Sequence, residues 1–199
     1  MDQNKLLQAR KRLTRGNKKV DGLLFSLPPI KACLNCSSCA SACYAVKSFR
    51  QYPSVRNLWE DNHRLAKHGL GELYSDLVDQ LAKEKQDLVR VHQSGDFISQ
   101  DYVSMWEVIA RKFKNKLFYA YTKVDHLLDL SYLEALPNFV LISSFIDGKR
   151  NFGSRAYVDE LVKDHGAVIC PATLGEDVKC GSGCRLCMVK GVKVAFVEH

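Results

Sequence analysis

No apolar run in this sequence approaches the ~20 residues that a membrane helix needs. Its start, MDQNKLLQARKRL, lacks the apolar stretch of a secretory signal. Both absences predict a cytoplasmic protein with no membrane partner. Also missing are the phosphate-binding P-loop, the dinucleotide glycine fingerprint, the nucleophile elbow and the His-Glu-x-x-His metal helix, which excludes common enzyme classes by signature. Acids are scarce at the start. Residues 1–19 hold seven bases (Lys5, Arg10, Lys11, Arg12, Arg15, Lys18, Lys19) and one acid, Asp2, so the remaining 180 residues contribute only +1 of the net +7. The basic character belongs to an N-terminal arm over residues 1–20, ahead of a single α/β domain over 21–199. Such an arm suits nucleic acid phosphates or an acidic protein partner. A solvated tail is the plainer reading, because no aromatic residue is interleaved to stack on bases.

The chain has 199 residues, 46% hydrophobic and 26% charged. That is enough for one globular domain with a full core and short for two. Apolar, β-rich segments recur at Gly22–Ser26, Leu88–His92, Leu117–Tyr121, Phe139–Ser143, Ala167–Cys170 and Val192–Val197. Several are nearly continuous in Val, Ile, Leu and Phe, as in parallel strands covered on both faces. Helical spacing of apolar residues lies between them, over Val55–His68, Gly71–Glu84, Gln100–Lys114, Leu127–Leu136 and Ser154–Asp164. Alternating strands and helices predict a parallel sheet with right-handed crossovers. The polar groups follow the strands, which suits a partial (β/α)6-like barrel whose C-terminal face carries the site.

Eight cysteines fall in two groups of four, with none between Tyr44 and Ile169. In a reducing compartment such groups point to metal rather than to disulfides. The first, Cys33-x2-Cys36-x2-Cys39-x3-Cys43, has the spacing that ligates iron–sulfur clusters in bacterial ferredoxins, with Tyr44 where proline is usual. The second, Cys170-x9-Cys180-x3-Cys184-x2-Cys187, has glycines at 175, 181, 183 and 191 that allow a tight wrap. Two [4Fe–4S] clusters are expected, held by metal loops at 33–43 and 170–187. Zinc is the alternative, above all at the second group.

The block His92-Gln93-Ser94-Gly95-Asp96-Phe97, with Tyr102 and Trp106 on the next helix and Phe118-Tyr119-Ala120-Tyr121-Thr122-Lys123 beyond, resembles the bacteriophage family called gene product 88. Cys43-Tyr44-Ala45, Tyr52-Pro53-Ser54-Val55-Arg56 and Asn62 are similar to that family too. The resemblance runs from about residue 27 to about residue 144 and implies a phage setting without naming a mechanism. A weaker, architectural resemblance is to radical S-adenosylmethionine enzymes, which use a (β/α)6 barrel and a cysteine loop after strand one. It implies adenosylmethionine as a further cofactor, with Ser94, Gly95 and Asp96 in the place of the motif that ends strand two. The cysteine gaps here (x2, x2, x3) differ from that family's.

Together these readings predict an iron–sulfur protein with redox or radical chemistry on a small or nucleotide-derived substrate. His92, Ser94, Asp96 and Lys123 are its candidate catalytic and substrate-orienting residues. Each has a plainer role as a loop former or surface residue, and Tyr119 and Tyr121 are expected to pack the barrel. Arg56, Trp59 and Asn62 share one helix face, either closing the first group or packing the core. The rival reading is a non-enzymatic, metal-stabilised module that grips nucleic acid or a host protein through its basic arm.

Overall fold

Four near-continuous apolar segments form the strands of the main sheet. The computed structural model describes residues 11–36, 39–40 and 43–198. Strands β2 (Leu23–Phe25), β3 (Leu88–Val91), β4 (Leu117–Thr122) and β5 (Phe139–Ser143) lie side by side, all parallel, with Val89 opposite Phe118 and Tyr119 opposite Val140. A short β1 (Thr14–Arg15) adds an antiparallel edge beside β2. Period-two alternation splits the strand residues between two faces. Val89, Val91, Phe118, Ala120 and Phe139 enter one core with Leu73, Leu77, Leu81, Tyr102, Trp106 and Ile109. Leu88, Tyr119, Val140 and Ile142 point the other way, against Cys170, Cys187, Met188 and Val194.

The first core is the helical side. It is built by α2 (Pro53–His68), α3 (Leu70–Lys83), α4 (Gln100–Lys112) and the single turn α5 (Ser131–Glu134), after a short α1 (Tyr44–Gln51). Pro53 opens α2 with its φ preset. The Ser99 hydroxyl caps α4 by accepting from the Tyr102 N–H. The helix expected over Leu127–Leu136 shrinks to α5, because the Asp129 carboxylate accepts from both the N–H and the hydroxyl of Ser131 and starts the turn there. The Gln100 side-chain amide clasps the Asp129 backbone from α4.

After β5 the chain makes a tight hairpin, β6 (Phe145–Ile146) and β7 (Lys149–Arg150), turning through Asp147 and Gly148 at positive φ. β8 (Phe152–Gly153), α6 (Arg155–His165), β9 (Val168–Ile169) and β10 (Val194–Val197) follow, and β8, β10 and β9 form a separate parallel sheet with β10 in the middle. The six strands expected in one partial barrel are therefore divided between two sheets. No ladder joins the sheets among the described residues. Asn151 does the joining instead: its side-chain amide donates to Ser143 O and Val194 O, and its N–H donates to Ser144 O.

Of the basic segment, residues 1–10, with Lys5 and Arg10, lie outside the described residues. From residue 11 the segment is tied to the domain. Arg12 is 1% exposed, pairs with Asp61 and sets its Nε 2.8 Å from Asp76. Its neighbour Leu13 is buried, and Thr14 and Arg15 form β1. Lys11, Arg15, Lys18 and Lys19 remain exposed.

Candidate functional site

The first cysteine group lies on the loop between β2 and α1. Backbone bonds coil this loop: the Cys33 N–H donates to Ile30 O and the Cys39 N–H to Cys36 O, while Cys43 stands at the N-terminus of α1. All four thiols are half-buried and unpaired. Burial pushes the Cys33 thiol up to about 12, and it raises Cys36 as well. Cys36 and Cys39 add to the first shift; for Cys36, Cys39 and Cys43 add to it while a hydrogen bond with Cys33 opposes it.

Four bonds fasten this loop to the C-terminal ends of β3 and β4. Leu27 N–H donates to Ser94 O (2.8 Å) and Asp96 N–H to Ala32 O (2.9 Å). Asn35 Nδ2 donates to Lys123 O (3.1 Å), and the Tyr44 hydroxyl donates to Gln93 O. The structure thus brings Ser94, Gly95, Asp96 and Lys123 beside the first cysteine group, with the His92 ring turned into the helical core.

Their individual settings are structural. Asp96 is 6% exposed, and its carboxylate accepts from Phe97 N–H (2.8 Å), the Thr122 hydroxyl (2.9 Å) and Lys123 N–H (2.9 Å). It is a latch between β3 and β4. Gly95 has a φ of +86°, and a Cβ there would lie 2.6 Å from Leu27 Cβ. His92 is buried among Phe25, Phe97 and Tyr102, with Nε2 2.8 Å from the Tyr102 hydroxyl. Burial, then the charge of Arg90, lowers its pKa to about 3, so it is neutral at physiological pH. Ser94 is buried, and its hydroxyl has no hydrogen-bond partner among the described residues. Of the two readings of Asn62, closing the first group or packing the core, the structure shows the second: it is buried and its Nδ2 donates to Arg12 O and Ser26 O.

The second cysteine group is not at the C-terminal edge with the first. Its segment folds back across the sheet face opposite α2, α3 and α4, so the expectation of two cysteine loops at one face is corrected. At the N-terminal edge, the Cys180 N–H donates to Lys19 O and its carbonyl accepts from Asp21 N–H. Gly181 takes a φ of +102° and sits against Asp21 and Leu88, where a Cβ would clash. Cys170, Cys180, Cys184 and Cys187 line one enclosed cavity of about 20 Å³ together with Arg90, Tyr119 and Tyr121. That volume is about one water. No group of three or more His, Cys, Asp or Glu among the described residues is closed tightly enough to grip a single ion. Burial pushes the Cys187 thiol up to about 11, against a hydrogen bond with Tyr121.

Arg90 is the residue that sequence reading passed over. It stands in an otherwise apolar strand, LVRVH, and its guanidinium lies 5.0 Å from the centroid of the Tyr121 ring. Nε donates to His92 O (3.2 Å), and no carboxylate pairs with it among the described residues. Burial opposes its charge, but the hydroxyls of Tyr44, Tyr119 and Tyr121 and the Cys180 thiol outweigh that. A single arginine inside an apolar strand was the available signal. A second, open cavity of about 540 Å³ at the C-terminal ends of the strands was also unforeseen. It is lined by Asn35, Asp125, His126, Phe145 and Gly148.

The model of the family described as gene product 88 matches residues 2–191. The Gene 88 protein of Mycobacterium phage D29 is 31% identical over 177 residues, covering 75% of this chain and 73% of that relative. The Gene 88 protein of Mycobacterium phage L5 is 29% identical over 115 residues, covering 53% and 48%. No solved structure matches.

Proposed function

Because the chain belongs to the gene product 88 family, with mycobacteriophage proteins among its relatives, we propose that it is a phage iron–sulfur protein acting in the host cytoplasm, where thiols stay reduced. Cys33, Cys36, Cys39 and Cys43 would hold one centre and Cys170, Cys180, Cys184 and Cys187 the other. Its activity would be redox or radical chemistry on a small or nucleotide-derived substrate. One observation carries this reading: four cysteines line a single cavity with a half-buried guanidinium that no described carboxylate meets. A guanidinium partly withdrawn from water with no ionic partner favours negative charge beside it. Thiolates around a metal centre supply the missing negative charge. A donor set of four sulfurs suits iron–sulfur or zinc and is poorly matched to hard cations.

When bound, iron–sulfur clusters supply single-electron chemistry. The chain's own residues do the positioning. Asp96 and Asn35 hold the first cysteine loop against β3 and β4. Asn35, next to Cys36, also lines the open cavity, where a substrate would meet His126, Phe145 and Asp125, the last held by the Ser143 hydroxyl at 2.6 Å. His92, Ser94 and Lys123 then act by shaping this edge.

The small second cavity favours a second reading: zinc at that site, in a non-enzymatic, metal-stabilised module. Metal and acid-labile sulfide content of protein purified without oxygen separates the two. About eight irons and eight sulfides per chain, with visible absorption that bleaches on reduction, is the expected result. About two zincs without sulfide would overturn the redox reading. Incubating the reduced protein with S-adenosylmethionine then distinguishes radical chemistry, which cleaves it, from simple electron transfer.

A further inference from the structure

The stretch from Gly22 to Trp59 contains four bases and not one acid. Of the four, Lys31 is spent on Glu60 at 2.7 Å. Lys47, Arg50 and Arg56 are exposed and make no ion pair among the described residues. Two aromatic rings stand with them in solvent, Tyr44 at 66% and Tyr52 at 50% exposure. Tyr44, Lys47 and Arg50 fall within one arc of α1 at the helical period. Tyr52 and Arg56 are one turn apart at the start of α2, where the Arg56 N–H donates to Tyr52 O. α1 spans roughly 12 Å, about the length of two nucleotides of extended strand.

From this face we infer that the protein binds single-stranded nucleic acid along α1 and the start of α2, beside the first cysteine loop. The cations take the phosphates and the tyrosine rings take the bases, which stack without regard to sequence. An acidic protein partner would use the charges but gives no reason for two exposed rings among them. The N-terminal segment is the weaker candidate, because Arg12 is consumed by Asp61 and Asp76 and no aromatic accompanies its other bases. The inference is independent of which metal the cysteines hold.

Fluorescence anisotropy tests it, with the full chain and a labelled oligothymidine of about 15 nucleotides, between about 50 and 200 mM salt. Binding should weaken as salt rises. Lys47→Gln with Arg50→Gln and Arg56→Gln should reduce the slope of log affinity against log salt by about 2. Tyr52→Leu should weaken binding roughly tenfold, while Tyr52→Phe leaves it unchanged. Circular dichroism and metal content are to match wild type in each variant. Absence of binding at the lowest salt overturns the inference. So does equal competition by polyglutamate, which would point to an acidic protein. Loss of binding on neutralising Lys5, Arg10 and Lys11, with the α1 variant unaffected, would overturn it in favour of the N-terminal segment.

Discussion

Arg90 and Cys180 line the same cavity, one from the middle of a central strand and the other from a loop that folds back across the sheet. A permanent cation and a ligand-type thiol in that relation make the protein's charge balance depend on what the cysteines hold.

Replacing Arg90 tests that dependence. If the protein holds the proposed iron–sulfur centres, Arg90→Met should lower the iron and sulfide content by about half, or shift the second centre's potential where metal is retained, since the compensating charge is gone. Arg90→Lys should rescue part of the loss. Unchanged content and potential in Arg90→Met would separate the arginine from the centre.

Metal removal should expose one face of the sheet and spare the other. Leu88, Tyr119, Val140 and Ile142 are covered by the segment carrying Cys170, Cys187 and Met188, whereas the opposite face is packed by helices. Limited proteolysis of chelated, reduced protein should cut first within residues 171–193, and the same treatment should raise dye binding to apolar surface. Equal resistance with and without metal would mean that packing alone holds this cover.

His92 carries a pH signature. Its folded pKa, lowered to about 3 mainly by burial, lies below the ordinary histidine value of 6.5. The unfolded chain therefore takes up a proton first as pH falls. Stability from the neutral imidazole is complete above the unfolded value and is lost between there and about 3, at roughly 1.4 kcal/mol per pH unit. Denaturant titrations from about pH 7 to 5 should show a shallower pH dependence for His92→Phe than for wild type. Parallel curves would refute the buried, neutral histidine.

Gly95→Ala should destabilise the fold by roughly 1–3 kcal/mol. The substitution brings a side chain to positive φ and within 2.6 Å of Leu27 Cβ, on the strap that also holds the first cysteine loop. Loss of first-group metal should accompany the lowered denaturation midpoint. A neutral result would show that the loop relaxes freely.

Much of the architecture was readable from local pattern. Continuous apolar runs such as FVLIS and LFYAYT mark strands that both faces of a sheet must bury, and β4 and β5 occupy nearly those residues. Leu73, Leu77 and Leu81 recur at helical spacing and all are buried under the sheet. The grouping of the cysteines and the His92–Asp96 block, which carries the family resemblance, needed no coordinates either. Helix α1 escaped notice because its stretch, YAVKSFRQ, has only eight residues, about two turns, too few for helical spacing to stand out.

What pattern could not reach was decided by packing between distant segments. β8 and β9 have two residues each, too few for their sequence to choose a partner, and β10 enters between them because Asn151 ties it to the end of β5. The second cysteine group illustrates the same limit. Its spacing determines that four thiols can converge, but not which surface they converge on. They cross this face of the sheet because Leu88, Tyr119, Val140 and Ile142 offer an apolar surface on the side opposite α2, α3 and α4, and burial there joins the chain's C-terminal third to its first strands.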